Sequence, residues 1–401
     1  MVYHPGVTDV TLTNVRPWGG EPSDITIGGG SIKAITAARG RNAGDGVIDG
    51  RGLLALPGFV NAHAHVDKSW WGRPWVPYGG EATTEGRIAH ERAERDALGV
   101  PSADGAEAVL REFVRHGTTA TRTHVDVDLG VELRGIEYVR EAAARLGGAI
   151  DVEIVAFPQD GVVRRPGVFD LLDKAAQAGA TSIGGLDPAG IDRDPVEQLD
   201  GLFAIAERRG VGLDIHLHDR GDLGAFQFDL IIERTLATGM QGRVTVSHGF
   251  ALGELSDSRT LGLLDGLRDA GISWATVAPV RSAPLPWRGM LERGIGIGLG
   301  TDGIRDLWSP FGDGDMLRIA LGFARLHGLR TDEELTTAVR LATSAARPFV
   351  HRDTHDLVAG GPADIVLVNA ENVPDALVRV PPRDLVIAGG VVVSEAGDLR
   401  V

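Results

Sequence analysis

Residues 57–67 are Pro57-Gly-Phe-Val-Asn-Ala-His63-Ala-His65-Val-Asp67, an apolar run that ends in polar side chains. It opens a series of eight apolar, β-branched runs that are each long enough for a strand. The runs cover residues 59–65, 120–127, 151–159, 181–188, 212–219, 244–250, 272–279 and 295–302. Helical patterns lie between most of them, at residues 86–98, 104–116, 131–146, 168–178, 196–209, 224–238 and 258–270. Alternating strands and helices indicate a parallel sheet, and eight such units predict an α/β fold of the (β/α)8 TIM barrel type, with a doubly wound open sheet as the alternative.

The two ends of the chain show a different pattern. Residues 10–13 and 24–27 near the N-terminus, and residues 363–368 and 385–388 near the C-terminus, are short alternating stretches separated by glycine-rich turns. This period and turn chemistry is typical of short antiparallel strands. We therefore expect a small β-sandwich domain built from residues 1–55 and 351–401, with the barrel inserted as residues 56–350.

Composition limits the kinds of partner and site. The 401 residues are 43% hydrophobic and 24% charged, as in an ordinary globular enzyme. A net charge of −15 argues against nucleic acid and anionic membrane surfaces as partners. Since no apolar segment is long enough to span a membrane and no leader pattern opens the chain, we expect a cytoplasmic protein. The chain has no cysteine, so any metal must be held by histidine and carboxylate.

Polar residues that can hold a metal recur at the ends of the predicted strands. His63 and His65 alternate on the first strand and so share a face; His216 ends the fifth strand, His248 the sixth and Asp302 the eighth. Each histidine alone is as well explained by a hydrogen-bonded barrel residue, and Asp302 by a turn or a helix cap. However, active-site residues of such barrels come from the C-terminal ends of strands, so their joint occurrence favours a metal site.

This order of residues resembles that of the amidohydrolase superfamily. Segments 57–65, 122–127, 155–159, 244–248 and 300–310 resemble its cytosine deaminase branch more specifically. The resemblance implies one divalent metal ion, zinc or iron, with the ligands His63, His65, His216 and Asp302.

The same resemblance assigns further roles. It implies that His248 contacts the activated water or the developing oxyanion, that Gln159 hydrogen-bonds a ring amide and that Trp308 forms an aromatic wall. Gln159 could instead cap the end of its strand, and Trp308 could be a packed loop residue.

Physical reasoning supports a single-metal hydrolase. A bound metal lowers the pKa of water from about 16 to near 7, and Asp302 can accept the proton that is released. The three lysines, Lys33, Lys68 and Lys174, do not end the third or fourth strand. A carbamylated lysine bridging two metals is therefore not expected.

Two positions depart from the cytosine deaminase pattern. Asp219 stands where those enzymes have a glutamate proton shuttle, and Gly303 stands where they have a second, substrate-facing aspartate. We expect Asp219 to act as the shuttle, although it could also cap the following turn, and His218 to contact the substrate. Because a missing carboxylate changes which polar groups a site can pair, cytosine itself is not the expected substrate.

The predicted function is a deaminase that releases ammonia from an amino-substituted nitrogen heterocycle. The alternatives are a hydrolase of a cyclic amide or another C–N bond, and a catalytically inactive binding barrel. The loop after the first strand contains Lys68, Trp70, Trp71, Arg73 and Trp75, which could form a lid over a flat ring or an ordered loop packed at the barrel mouth. We also expect a homo-oligomer.

Overall fold

The structure, a computed structural model, describes residues 9–39, 46–279 and 283–401. Residues 1–8, on which part of the expectation about a leader depends, and residues 40–45 of the predicted N-terminal domain lie outside the described residues. The strands are β1 Asp9–Pro17, β2 Ser23–Gly28, β3 Ser31–Ala37, β4 Val47–Asp49, β5 Leu54–Pro57, β6 Phe59–His65, β7 Thr118–Asp126, β8 Asp151–Phe157, β9 Ser182–Leu186, β10 Gly212–Leu217, β11 Val244–His248, β12 Ser273–Thr276, β13 Ile297–Leu299, β14 Asp302–Gly303, β15 Ile365–Val368, β16 Arg383–Ala388, β17 Val391–Glu395 and β18 Asp398–Leu399. The α-helices are α1 Thr84–Leu98, α2 Ala103–Arg115, α3 Arg134–Arg145, α4 Val168–Gln177, α5 Pro195–Arg209, α6 Gly221–Ala237, α7 Asp257–Asp269, α8 Trp287–Glu292, α9 Met316–Leu326, α10 Asp332–Arg340 and α11 Val373–Arg379.

The central sheet is TIM-barrel-like, as the sequence predicts. Strands β6 to β13 lie side by side in chain order, and every neighbouring pair is parallel. The eighth predicted run is split into β13, which pairs with β12, and β14, which pairs with β6. Because β13 and β14 belong to one stretch of chain, the sheet returns to its first strand, and the open-sheet alternative is excluded.

Local sequence signals define the outer helices. Helix α2 begins after Ser102, whose hydroxyl accepts a hydrogen bond from the backbone N–H of Gly105 at 3.2 Å. Its residues Val109, Leu110 and Phe113 recur at helical spacing and are buried in the main hydrophobic core. Burial of each such side chain stabilises the fold by about 1.5–3 kcal/mol, which holds the helix against the strands.

The terminal strands form one mixed sheet. Its order is β18-β17-β16-β15-β5-β1-β2-β3, with β4 beside β1. Strand β5 joins this sheet to the barrel, because Leu54 and Leu56 belong to the barrel core while Ala55, on the opposite face, belongs to the core under the terminal sheet. The sandwich arrangement of this sheet and the domain boundaries at residues 55–56 and 350–351 stay predictions.

The barrel places the carboxyl ends of its strands at one rim. Below that rim, Val60 and Ala62 of β6 pack with Ala120, Ala275 and Phe349 inside the barrel. Polar side chains at the strand ends lie above this packed interior and face a common mouth. None of the helices in the described ranges has both the length and the apolar character needed to cross a bilayer.

Candidate metal centre and active site

The four predicted metal ligands meet at this rim. His63 and His65 share a face of β6, and Asp302 of β14 lies beside Ala64. Oδ1 of Asp302 is 3.5 Å from Nε2 of His63 and 3.4 Å from Nε2 of His65. Nε2 of His216, from β10, is 3.4 Å from Nε2 of His65. Each of the four residues therefore has a donor atom within 3.5 Å of a donor atom of another. The described donor atoms that all lie within 4.8 Å of one another form two groups, His63, His65, His124 and His216, and His63, His248 and Asp302.

These donor atoms fit a divalent ion. Nε2 of His63 is buried and has no hydrogen-bond partner within the described ranges. Burial lowers the pKa of His65 and of His216 well below the ordinary value near 6.5, so both rings are neutral lone-pair donors. Neutral imidazoles together with a carboxylate oxygen are typical ligands of zinc and of iron(II).

A buried hydrogen-bond chain fixes the ring of His63. Ser247 Oγ donates to Oδ1 of Asp214 at 2.6 Å, and the same Oγ lies 2.9 Å from Nδ1 of His63. Since the single hydroxyl proton goes to the carboxylate, the oxygen accepts the Nδ1–H of His63. The lone pair of His63 is therefore at Nε2, the nitrogen that faces Asp302.

His124 belongs to the same cluster, although the sequence analysis assigns it no role. It is fully buried on β7, and ring nitrogens of His63, His65, His124 and His216 lie within 4.8 Å of one another. Its Nε2 lies 3.3 Å from Oδ1 of Asp214, and burial lowers its pKa to about 4. Strand alternation was the available signal, because a residue two positions after Arg122 on an inward-facing strand must also face the barrel interior.

His218 forms a dyad with Asp187 beside His248. Nδ1 of His218 lies 2.8 Å from Oδ2 of Asp187, so Nδ1 carries the proton and Nε2 is free to face the mouth. The rings of His218 and His248 are stacked, with centroids 4.4 Å apart. Asp187 is buried and accepts backbone N–H groups of His218 and Asp219, which fixes its carboxylate.

Three residues around the site have left-handed backbone conformations. The φ angles are 33° at Asp187, 69° at His248 and 60° at Asp302. Non-glycine residues seldom adopt positive φ, and such strain is concentrated at functional sites. The surrounding barrel therefore holds these side chains in place at a cost of local strain.

A cavity of about 170 Å³ opens directly onto the ligand cluster. It is lined by His65, Lys68, Phe157, Gln159, Leu186, His216, His218, His248, Asp302, Gly303, Asp306, Trp308 and Ser309. Gln159, His218 and Trp308, the three residues predicted to bind substrate, all line it. His248 and Asp302, two of the three residues predicted to be catalytic, line it as well.

Lys68 organises the polar side of this cavity. Its ammonium donates to Oε1 of Gln159 at 2.7 Å and to Oδ1 of Asp126 at 2.9 Å, and Glu91 lies 3.6 Å away. Burial alone would lower the pKa of Lys68, but the carboxylates of Asp126 and Glu91 outweigh it and raise that pKa. The Nε1–H of Trp308 donates to Glu91. Lys68 is thus a fixed cation, and the NH2 group of Gln159, which lines the cavity, has no hydrogen-bond partner among the described residues.

Asp219, the third residue predicted to be catalytic, does not line the cavity. Its Oδ2 accepts hydrogen bonds from the backbone N–H of Gly190 at 2.9 Å and from Nε2 of Gln227 at 2.8 Å. These contacts come from Gly190 and from helix α6, and not from the following turn that the sequence analysis names as the alternative partner of Asp219. The structure brings His218 to the cavity in its place.

The aromatic loop after β6 contributes Lys68 rather than a stacking lid. Trp70 is buried, and the guanidinium of Arg305 lies 4.3 Å from its ring centroid. Trp75 is 62% exposed and does not line the cavity. Phe157 and Trp308, which border the cavity, come from other segments, so this loop corresponds to the second interpretation, an ordered segment packed at the barrel mouth.

Comparison with known proteins agrees with this geometry. The sequence profile of the amidohydrolase family matches residues 102–394. N-isopropylammelide isopropyl amidohydrolase of Pseudomonas sp. (strain ADP) is 31% identical over 363 residues, covering 86% of this chain and 87% of that protein. The crystal structure of N-isopropylammelide isopropylaminohydrolase from Burkholderia multivorans superimposes with a TM-score of 0.92 at 40% identity, over 98% of this chain and all (100%) of that chain. Similarity to 5-methylcytosine deaminase from Klebsiella pneumoniae, with a TM-score of 0.82, 24% identity and coverage of 96% of this chain and 97% of that chain, shows the shared fold. Motifs, fold and site together lead to the conclusion that this chain is a hydrolase of the amidohydrolase family.

Proposed function

We propose that this protein is a metal-dependent hydrolase that cleaves an exocyclic C–N bond of an amino-substituted nitrogen heterocycle. The observation that carries the proposal is a single cavity in which a histidine–aspartate cluster with metal-ligand chemistry faces a fixed cation, a free amide and an aromatic ring. The leaving group is ammonia or a short alkylamine. The second form is favoured by the two most closely similar proteins described above, whose names specify an isopropyl group on nitrogen.

We assign one divalent metal, zinc or iron, to His63, His65, His216 and Asp302. When bound, such an ion supplies Lewis acidity that makes water a nucleophile at neutral pH. In the reaction, the water oxygen bonds to the ring carbon, the C–N bond breaks and the amine nitrogen gains a proton. Each of these changes requires a protein group that holds charge or a proton at the cavity.

His218 is the group that we assign to proton transfer. Because Asp187 fixes the proton at Nδ1, Nε2 is the atom that takes a proton from water and returns it to the leaving amine. His248 stacks against His218, where it can hydrogen-bond the developing negative charge. This assignment replaces Asp219 as the proposed shuttle.

Hydrogen-bond donors and an aromatic ring of the cavity recognise the substrate. Lys68 and the NH2 group of Gln159 are donors, so they suit carbonyl oxygens or unprotonated ring nitrogens. Trp308 offers a flat apolar surface for the ring. The cavity of about 170 Å³ is smaller than the roughly 300–1,000 Å³ of pockets that hold drug-sized ligands, which suits a small heterocycle.

The test is a panel of amino-heterocycles assayed for ammonia and alkylamine release, with metal content measured on the same sample. The panel includes N-isopropylammelide, 5-methylcytosine and cytosine. We expect at least one single-ring substrate to be hydrolysed in proportion to bound metal, and His63→Ala to abolish both metal and activity. A fully metal-loaded chain that releases no amine from any compound would refute the proposal and favour the inactive-barrel alternative.

A further inference from the structure

We propose that Asp306 determines substrate specificity by accepting a hydrogen bond from a ring N–H group of the heterocycle. It does so in the space that the absent side chain of Gly303 leaves open. This inference rests on the proposed function and narrows its substrate class. The substrate would be a lactam-type ring that presents a carbonyl group to Lys68 and Gln159 and an N–H group to Asp306.

The carboxylate of Asp306 occupies the space that a side chain at position 303 would need. A Cβ atom built on Gly303 would lie 1.7 Å from Oδ2 of Asp306, far inside any non-bonded contact distance. A side chain at position 303 and the present position of the Asp306 carboxylate therefore exclude each other.

The turn that follows Asp306 holds its carboxylate in place. Its Oδ1 accepts the backbone N–H groups of Trp308 at 2.8 Å and Ser309 at 2.7 Å, and its own N–H donates to the carbonyl of Ser309 at 2.9 Å. The side chain is 4% exposed, so its position is set by the turn rather than by solvent. A carboxylate fixed in this way is preorganised for a ligand.

The turn binds only one of the two carboxylate oxygens of Asp306, Oδ1. Oδ2 of Asp306 makes no hydrogen bond to any described residue, while Asp306 lines the cavity beside Asp302 and Gly303. A carboxylate oxygen can only accept hydrogen bonds, so its partner in the cavity must be a donor. Burial raises the pKa of Asp306 to about 6, which leaves it mainly ionised at neutral pH.

The experiment compares two variants that alter the same oxygen in different ways. Asp306→Asn keeps an acceptor for the turn but replaces the free oxygen with an NH2 donor. Gly303→Ala leaves Asp306 chemically unchanged but places a methyl group where Oδ2 lies. Asp313→Asn is the matched control, since it removes a charge from the same loop at a residue that does not line the cavity.

The probes are N-isopropylammelide, cytosine and 5-methylcytosine, together with the ring N-methyl derivatives of whichever is turned over. We expect both variants to raise KM and lower kcat/KM by about 10- to 100-fold, the effect of losing a hydrogen bond to a charged group. Discrimination against one N-methyl derivative should fall by a similar factor. Metal content of both variants should match that of Asp313→Asn, and so should the melting temperature of Asp306→Asn, which keeps the acceptor of the turn.

The outcomes distinguish a failure of the role proposed for Asp306 from a failure of the proposed function. If the wild-type chain turns over a probe but both variants keep its KM and its discrimination, Asp306 only caps the turn and the inference is wrong. If the metal-loaded wild-type chain turns over none of the probes, the proposed function fails and the inference fails with it.

Discussion

Replacement of Ser247 by alanine tests whether the buried hydrogen bonds that link Asp214, Ser247 and His63 determine how strongly His63 binds metal. The hydroxyl joins Oδ1 of Asp214 to Nδ1 of His63, and all three side chains are 0% exposed. Ser247→Ala therefore leaves a buried donor and a buried acceptor without this partner, at about 1–3 kcal/mol for each group. We expect the free energy of unfolding of the metal-free chain to fall by about 2–6 kcal/mol.

The same change should weaken metal binding. Without the serine oxygen, the proton of the His63 ring is no longer held at Nδ1 and can move to Nε2. In the molecules where it does, Nε2 has no lone pair for a metal. Loss of a residue that orients a ligand usually reduces metal affinity by about 10- to 100-fold, equivalent to about 1.4–2.8 kcal/mol. Competition between the protein and a chromophoric chelator for Zn2+ measures this change directly. Ser182→Ala, a buried serine at the start of β9, is the matched control. Equal zinc affinity in wild type and Ser247→Ala would show that the hydrogen bonds through Ser247 do not position His63.

Further predictions concern the metal, the proton shuttle and the pocket. Elemental analysis should find one divalent metal per chain, and His63→Ala should lose most of it; two tightly bound ions would contradict the ligand assignment. His218→Gln should reduce kcat by roughly 10² or more with metal retained, whereas Asp219→Asn should stay near wild type in the same steady-state assay; the reverse result would restore Asp219 as the shuttle. Cytosine should have a kcat/KM below about 10⁴ M⁻¹s⁻¹. Gly303→Asp should not improve that value, because its Cβ would collide with Asp306; a clear gain in cytosine turnover would refute the pocket assignment.

The sequence was sufficient to predict that His63, His65 and Asp302, three of the proposed ligands, lie side by side. Alternation along a strand places His63 and His65 on one face, and the closure of a parallel barrel brings Asp302 next to them. These relations depend only on strand periodicity and on the order of strands. They therefore survive uncertainty in the exact ends of each strand, such as the break between β13 and β14.

The sequence could not predict that Asp219 turns away from the cavity or that Asp306 lines it. Asp219 and His218 are neighbours in the chain, and the choice between them depends on Gly190 and Gln227, which come from other elements and bind the Asp219 carboxylate. Likewise, Asp306 enters the pocket through a loop turn that no periodic pattern describes. Side-chain direction after the end of a strand is set by such tertiary contacts and not by local spacing.

The split eighth strand would give a metal ion bound by the proposed ligands a second, mechanical role. Asp302 belongs to the last strand and His63 and His65 to the first, so an ion shared by them would act as a clasp across the seam of the cylinder. The seam pairing is short, since β14 has only two residues. Loading with metal should then slow amide hydrogen exchange in residues 297–303 more than in strands far from the seam, because the ends of the sheet could no longer part without releasing the ion.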